Sequence, residues 1–130
     1  MNGKRAKIIS LYKQNSTNFQ ATRITTTIIT FEEQMRGWMA YLARMRSIDE
    51  QVFAYETLKQ YFDYFKTLTI IEFDNNAAEI YKNLKSQKIR IGSMDLKIAS
   101  IAISRKAILV SRNLKDFEQV PDLIVQDWTR

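Results

Sequence analysis

Two carboxylates frame the stretch Arg90 to Val120, RIGSMDLKIASIAISRKAILVSRNLKDFEQV. Asp95 stands where an apolar helix opens, and Asp116 stands just past a short apolar strand. Neither a helix core nor a strand core accommodates a charge, so each marks the end of an element. The chain contains no histidine and no cysteine. That excludes serine–histidine and cysteine–histidine catalysis, zinc held by imidazole or thiolate, and disulfides. Chemistry is left to carboxylates, amides, hydroxyls, Lys and Arg. Oxygen donors of this kind suit hard cations such as Mg²⁺ or Mn²⁺, where a metal is used at all.

Groups like these need elements to hold them, and the chain offers several in alternation. Thr25-Thr26-Thr27-Ile28-Ile29-Thr30 is β-branched throughout and reads as a buried strand. Thr30 with Glu33 three residues on predicts a capping box and a helix start. Apolar residues at Phe31, Met35, Met39 and Leu42 continue that helix as a stripe. Ser47 and Glu50 repeat the capping pattern, and Tyr55, Leu58, Phe62 and Phe65 mark the next stripe. Two antiparallel helices are therefore expected between Glu32 and Lys66. Trp38, Tyr41, Phe53, Tyr61 and Tyr64 exceed what one stripe buries. They serve either a subunit or partner interface, or a core that wraps both sides of the pair.

Leu68 to Phe73 predicts a second strand, followed by a helix capped by Asp74 or Asn75 and running to about Gln87. Gly92-Ser93 interrupts the chain, with Ser93 the expected N-cap of a helix from Met94 to Arg105. Ala107 to Ser111 reads as a short strand, Asn113 to Asp122 as loop, and Leu123 to Val125 as a last strand. Near the N-terminus, Ile8, Ile9 and Leu11 fit either a strand or a helix start. This alternation predicts a single α/β domain over residues 1–130, a three-layer sandwich with parallel strands and right-handed crossovers. Ligands of such sheets sit at the carboxyl ends of the strands. Glu33 and Asp116 fall there, and Asp95 opens the helix that feeds the strand before Asp116.

A net charge of +6 and a pI near 9.6 point to an anionic partner such as nucleic acid, an acidic protein or a membrane surface. Ordinary solubility is the plainer account of the same charge. No apolar run approaches the roughly 20 residues that span a bilayer. The opening MNGKRAKIISLYKQ lacks the apolar core and small-residue cleavage site of a signal peptide. With no cysteine to oxidise, a cytoplasmic setting without membrane association is the expectation.

In their order and spacing the motifs resemble those of the PIN-domain nucleases, most closely the VapC-type toxins of bacterial toxin–antitoxin pairs. I-I-T-F-E-E-Q-M-R-G carries Glu33 four residues before Gly37, and I-G-x-x-D ends at Asp95. S-R-N-x-x-D-F-x-x-V-P contains Asp116, and a terminal D-W follows. The likeness covers about Thr25 to Trp128. It implies a PIN-like α/β/α sandwich with a central parallel sheet and a metal-dependent endoribonuclease activity. It further implies Glu33, Asp95 and Asp116 as catalytic carboxylates and ligands of Mg²⁺ or Mn²⁺. Ser111 and Asn113 would support them through hydrogen bonds. A cognate antitoxin and a homodimer are the implied protein partners. Arg36, Arg90 and Arg112, with Arg44 and Arg46, are candidates to hold RNA phosphates.

One departure stands out. The family's opening strand ends in an Asp, whereas here Arg5 falls at that position, and MNGKRAK is too polar for a buried central strand. The first central strand is therefore expected to be missing or altered. The alternative function is a catalytically impaired PIN-fold module that binds antitoxin or RNA without cutting. Each carboxylate also has an ordinary use: Glu33 in the capping box, Asp95 at a helix N-terminus, Asp116 in a turn. A flavodoxin-like signalling domain fits less well, because no glycine-rich phosphate loop is present.

Overall fold

The stretch Leu96–Ala102, apolar but for Lys97 and Ser100, supplies the centre of the molecule. Within α4 (Ser93–Ser104), Leu96, Ile98, Ala99, Ile101 and Ala102 are all buried. A helix apolar over so much of its girth must be covered on several sides. Ile29, Ile71, Ala77, Leu84, Leu109 and Phe117 do the covering. The structure, a computed structural model, describes residues 7–11 and 22–127; the features expected at Arg5 and Trp128 lie outside them.

Among the described residues five strands form one sheet: β1 (Lys7–Leu11), β2 (Thr22–Thr27), β3 (Ile70–Ile71), β4 (Ile108–Val110) and β5 (Ile124–Gln126). Their order across the sheet is β3-β2-β1-β4-β5. β2 pairs in parallel with β3, and β4 with β5. The central β1 runs antiparallel to both of its neighbours, with Ile8 opposite Thr25 on one side and Leu109 on the other. The expected all-parallel sheet is thus corrected to a mixed one, in which Ile8, Ile9 and Leu11 belong to a strand and not to a helix start. Chain length gives the reason. Only residues 12–21 separate β1 from β2, whereas a parallel crossover takes a dozen or more residues, usually with a helix.

The β-branched run divides differently from its sequence reading. β2 stops at Thr27, and α1 (Ile28–Ala43) begins at once. Thr27 holds an extended backbone, φ −119° and ψ 160°, and its Oγ1 accepts the Thr30 N–H at 3.0 Å. The last strand residue therefore doubles as the N-cap, since that position asks only for β-region angles and a short oxygen-bearing side chain. The expected Thr30–Glu33 capping box is displaced, and Thr30 lies buried in the first turn. At α2 (Ile48–Phe65) the capping box forms as expected, with Glu50 N–H to Ser47 Oγ at 3.1 Å and Ser47 N–H to Glu50 Oε1 at 3.2 Å.

The two helices run antiparallel, as expected: Phe31 meets Phe65 at 4.9 Å between ring centroids, and Trp38 meets Tyr61 at 5.7 Å. Those rings fill the space between α1 and α2, while Phe53, Tyr55, Phe62 and Tyr64 face outward. The aromatic excess is accordingly split between internal packing and a surface.

Asp74 caps α3 (Asn75–Ser86) through the Ala77 N–H at 3.0 Å. α3 lies against α4, and the two run antiparallel, with Arg105 at the end of α4 reaching Asp74 at 3.9 Å. α4 closes in a Schellman turn: Lys106 takes φ 54°, with Ala107 N–H to Ala102 O at 2.9 Å and Lys106 N–H to Ile103 O at 3.1 Å. That tight stop sends the chain straight back along the helix as β4. The expected loop over 113–122 contains one helical turn, α5 (Leu114–Phe117), because Phe117 and Val120 both bury their side chains.

Candidate active site

Three residues beyond β4 are linked in series. Ser111, 4% exposed, accepts the Asn113 N–H on its Oγ at 2.9 Å. Asn113 in turn donates its side-chain amide to Asp116 Oδ2 at 2.8 Å. The buried hydroxyl fixes the Asn113 backbone, and Asn113 fixes one oxygen of the half-buried Asp116 carboxylate. This chain of contacts turns a surface loop into a held acidic group.

Asp95 sits in the first turn of α4, half-buried, where the helix N-terminus favours its negative charge. Gly92 is the N-cap of that helix, not Ser93, and it makes no side-chain capping bond. α4 reverses into β4 through only three residues, which puts its N-terminus at the carboxyl end of β4. The side chain of Gln119 ties the same two regions, bonding the Arg90 N–H at 3.3 Å and the Arg90 carbonyl at 3.4 Å. Glu33 lies on α1, which leaves the carboxyl end of β2 directly and packs against α4. Glu33 is half-buried, and both it and Asp95 are engaged in interactions. The elements bearing the three carboxylates thus open on one edge of the sheet.

The donor set of this edge fits a cation only in part. Carboxylates with amide and hydroxyl neighbours have the donor chemistry for a hard cation. Among the described residues, however, no three acidic side chains come close enough together to hold one. The strand that lies between β2 and β4, KIISL, brings no acidic residue to this edge.

Of the basic candidates, Arg36 is paired with Glu32 at 2.6 Å, an i,i+4 contact on the exposed face of α1. Arg90 and Arg112 are exposed. Arg44 lies over the Tyr41 ring at 6.0 Å from its centroid, and the Arg46 N–H goes to Glu50 Oε1 at 2.7 Å. Sequence reasoning passed over Gln119 entirely. It also passed over the Glu32–Arg36 pair, although the spacing was there to read.

Two hollows follow α1, and neither is lined by the three carboxylates. One of about 440 Å³ is walled by Gly37, Trp38, Ala40, Tyr41, Arg44 and Thr57. The other, about 520 Å³, is walled chiefly by Ile28, Ile29, Phe31, Met35 and Met39, with Glu32 and Arg36 at its polar side. Beside the first, the Trp38 indole N–H is buried without a partner. These hollows have the shape of an apolar contact surface and stand apart from the acidic edge.

No protein-family model matches the chain. Individual relatives do. Ribonuclease VapC2 of Rickettsia felis is 35% identical over 71 residues, which cover 52% of this chain and 53% of the relative. The chain therefore matches only about half the length of that relative. The tRNA(fMet)-specific endonuclease VapC of Salmonella typhimurium is 27% identical over 115 residues, covering 85% of this chain and 80% of that one. In fold, the crystal structure of VapBC2 from Rickettsia felis bound to a promoter DNA fragment superposes with a TM-score of 0.59 at 26% identity. That match covers 82% of this chain and 75% of the other. The motif order, the acidic sheet edge and these matches converge on one likeness: in sequence and in fold the chain is similar to the VapC ribonucleases, which are crystallised as VapBC complexes.

Proposed function

We propose that the chain is an endoribonuclease that hydrolyses RNA phosphodiester bonds at the acidic edge of its sheet and is held in check by a cognate antitoxin. The observation that carries this reading is the hydrogen-bonded series Ser111–Asn113–Asp116, tied through Gln119 to the helix entry that bears Asp95. A carboxylate held in this way is oriented for its work before substrate arrives. Asp116 and Asp95 are the groups assigned to the reacting phosphate and its attacking water, with Glu33 completing the acidic set. Arg90 and Arg112, exposed beside them, would hold flanking phosphates. Arg36 is less available while it is paired with Glu32. Mg²⁺ or Mn²⁺ is the cation that such oxygen donors would take, and it would supply charge to counter the phosphate. The finer architecture that goes with this reading is the three-layer arrangement of the family.

A second reading has its own observation. β1 carries no carboxylate, and the described residues form no three-acid group. Both favour a PIN-fold module that binds antitoxin or RNA without cutting. Incubation of end-labelled RNA, a tRNA included because the Salmonella relative is named for one, separates the two. Cleavage in Mg²⁺ or Mn²⁺ that falls about 100-fold or more in Asp95→Asn supports the nuclease, a loss of the size expected when a charged group at a reacting centre is removed. No cation-dependent cleavage, or cleavage indifferent to Asp95→Asn, sinks it in favour of the binding module.

The outward aromatics of α2, Phe53, Tyr55, Phe62 and Tyr64, supply the surface for a homodimer or for the antitoxin. Light scattering at micromolar concentration is expected to give the mass of a dimer. A monomer there would leave that surface to the antitoxin alone.

A further inference from the structure

Gln119 joins two segments that lie 29 positions apart in the chain. Its Oε1 accepts the Arg90 N–H at 3.3 Å, and its Nε2–H donates to the Arg90 carbonyl at 3.4 Å. A single bond between the segments would act as a pivot. Two bonds to the backbone of one residue fix both separation and rotation, as a strand pair does with backbone groups alone. Each bond is long and solvent-exposed, so each is individually weak; the value of the pair lies in geometry.

The positions of the two ends give that geometry a purpose. Arg90 precedes Asp95 by five residues, and Gln119 follows Asp116 by three. Directly after Gln119, Val120 is buried, so the amide is carried on an anchored segment. At the other end Ile89, Ile91 and Met94 pack against the core, but the cap between them adds no anchor of its own. Gly92 caps the helix without a side-chain bond, and a Cβ built there would meet nothing within 4 Å. Apolar packing on either side of the cap holds the entry on the core, and the Gln119 amide adds a polar tie that joins it to the Asp116 segment.

We infer that Gln119 is a positioning residue whose side-chain amide sets the Asp95 segment against the Asp116 segment. Its functional consequence rests on the nuclease reading above; its structural part does not. The amide does not touch substrate and acts through the placement of the two carboxylates.

The test uses the full ¹⁵N-labelled chain with Gln119→Ala and Gln119→Glu. In Gln119→Ala, the Arg90 amide is expected to exchange with solvent several-fold faster, and the Asp95 and Asp116 amide resonances to shift. RNA cleavage should lose about three- to tenfold in kcat with KM little changed, the signature of misplaced groups rather than lost binding. Gln119→Glu keeps the acceptor for the Arg90 N–H but, when ionised, has no donor for the carbonyl. It should therefore keep Arg90 exchange close to wild type at neutral pH while the Asp95 and Asp116 resonances shift, and those shifts should shrink, relative to wild type at the same pH, as the acid protonates near pH 4.3 and regains a donor. Arg90 exchange unchanged in Gln119→Ala overturns the tie itself. Faster exchange with unmoved Asp95 and Asp116 resonances and unchanged kcat overturns the positioning role. If wild type does not cut RNA, the nuclease reading fails separately, and the exchange and resonance data alone decide whether Gln119 positions the two segments.

Discussion

Asn113 donates twice, its backbone N–H to Ser111 and its side-chain amide to Asp116. Removing the buried acceptor tests how far the series is held from its inner end. Ser111→Ala should destabilise the fold by about 1 kcal/mol, the usual cost of leaving one buried partner unmade, measured by urea unfolding. A midpoint unchanged from wild type would show that water takes over the Asn113 N–H at no cost. At this scale the sequence was legible where a residue was out of place. Asp95 and Asp116 could be singled out because a charge beside an apolar run demands an explanation, and Asn113 followed from its motif. Gln119 carried no such mark. An amide in a polar loop looks like any other, and only the return of the chain beside Arg90 gives it a partner. Arg36 shows the opposite case: Glu32, four residues away on the same helix, is a partner readable from spacing alone.

The elements were legible wherever a local signal had no competitor. Ser47 with Glu50, and Asp74 before an alternating helix, are settled within a few residues, and both caps form. Thr30 with Glu33 offered the same pattern and failed, because Thr27 competes for the same helix start and wins it with a backbone already extended. A run of β-branched residues conceals such a boundary, since strand and cap prefer the same angles. Two valine substitutions separate the candidates while keeping the side-chain shape. Thr27→Val removes the acceptor for the Thr30 N–H and should cost about 1 kcal/mol, within the range for N-cap losses. Thr30→Val, which deletes only a hydroxyl contact 3.2 Å from Thr27 Oγ1, should cost less. Thermal unfolding of the two proteins side by side gives the order. The reverse order would restore Thr30 as the effective cap.

The sheet as a whole was the least legible part, because strand direction is set by residues far apart. Ile8, Ile9 and Leu11 were consistent with a strand, but nothing near them announced that it would lie reversed between β2 and β4. The register makes this checkable in a chain that has no cysteine of its own. Lys7 lies opposite Val110, and directly opposed antiparallel residues have the Cα spacing a disulfide accepts, roughly 4.5 to 5.5 Å. The double variant K7C/V110C should therefore crosslink on oxidation and change its mobility on a non-reducing gel. A β1 running parallel to β4 would put residue 7 at the far end of the sheet and leave the thiols apart. The reversed strand also bears on how the chain is made. β1 and β2 can close as a hairpin soon after both leave the ribosome, but the other edge of β1 is covered only by β4, about 100 residues later in the chain. At about 5–20 residues per second, the central strand exposes an open edge for some seconds during every round of synthesis. That interval is when a newborn chain is most exposed to strand pairing with its neighbours.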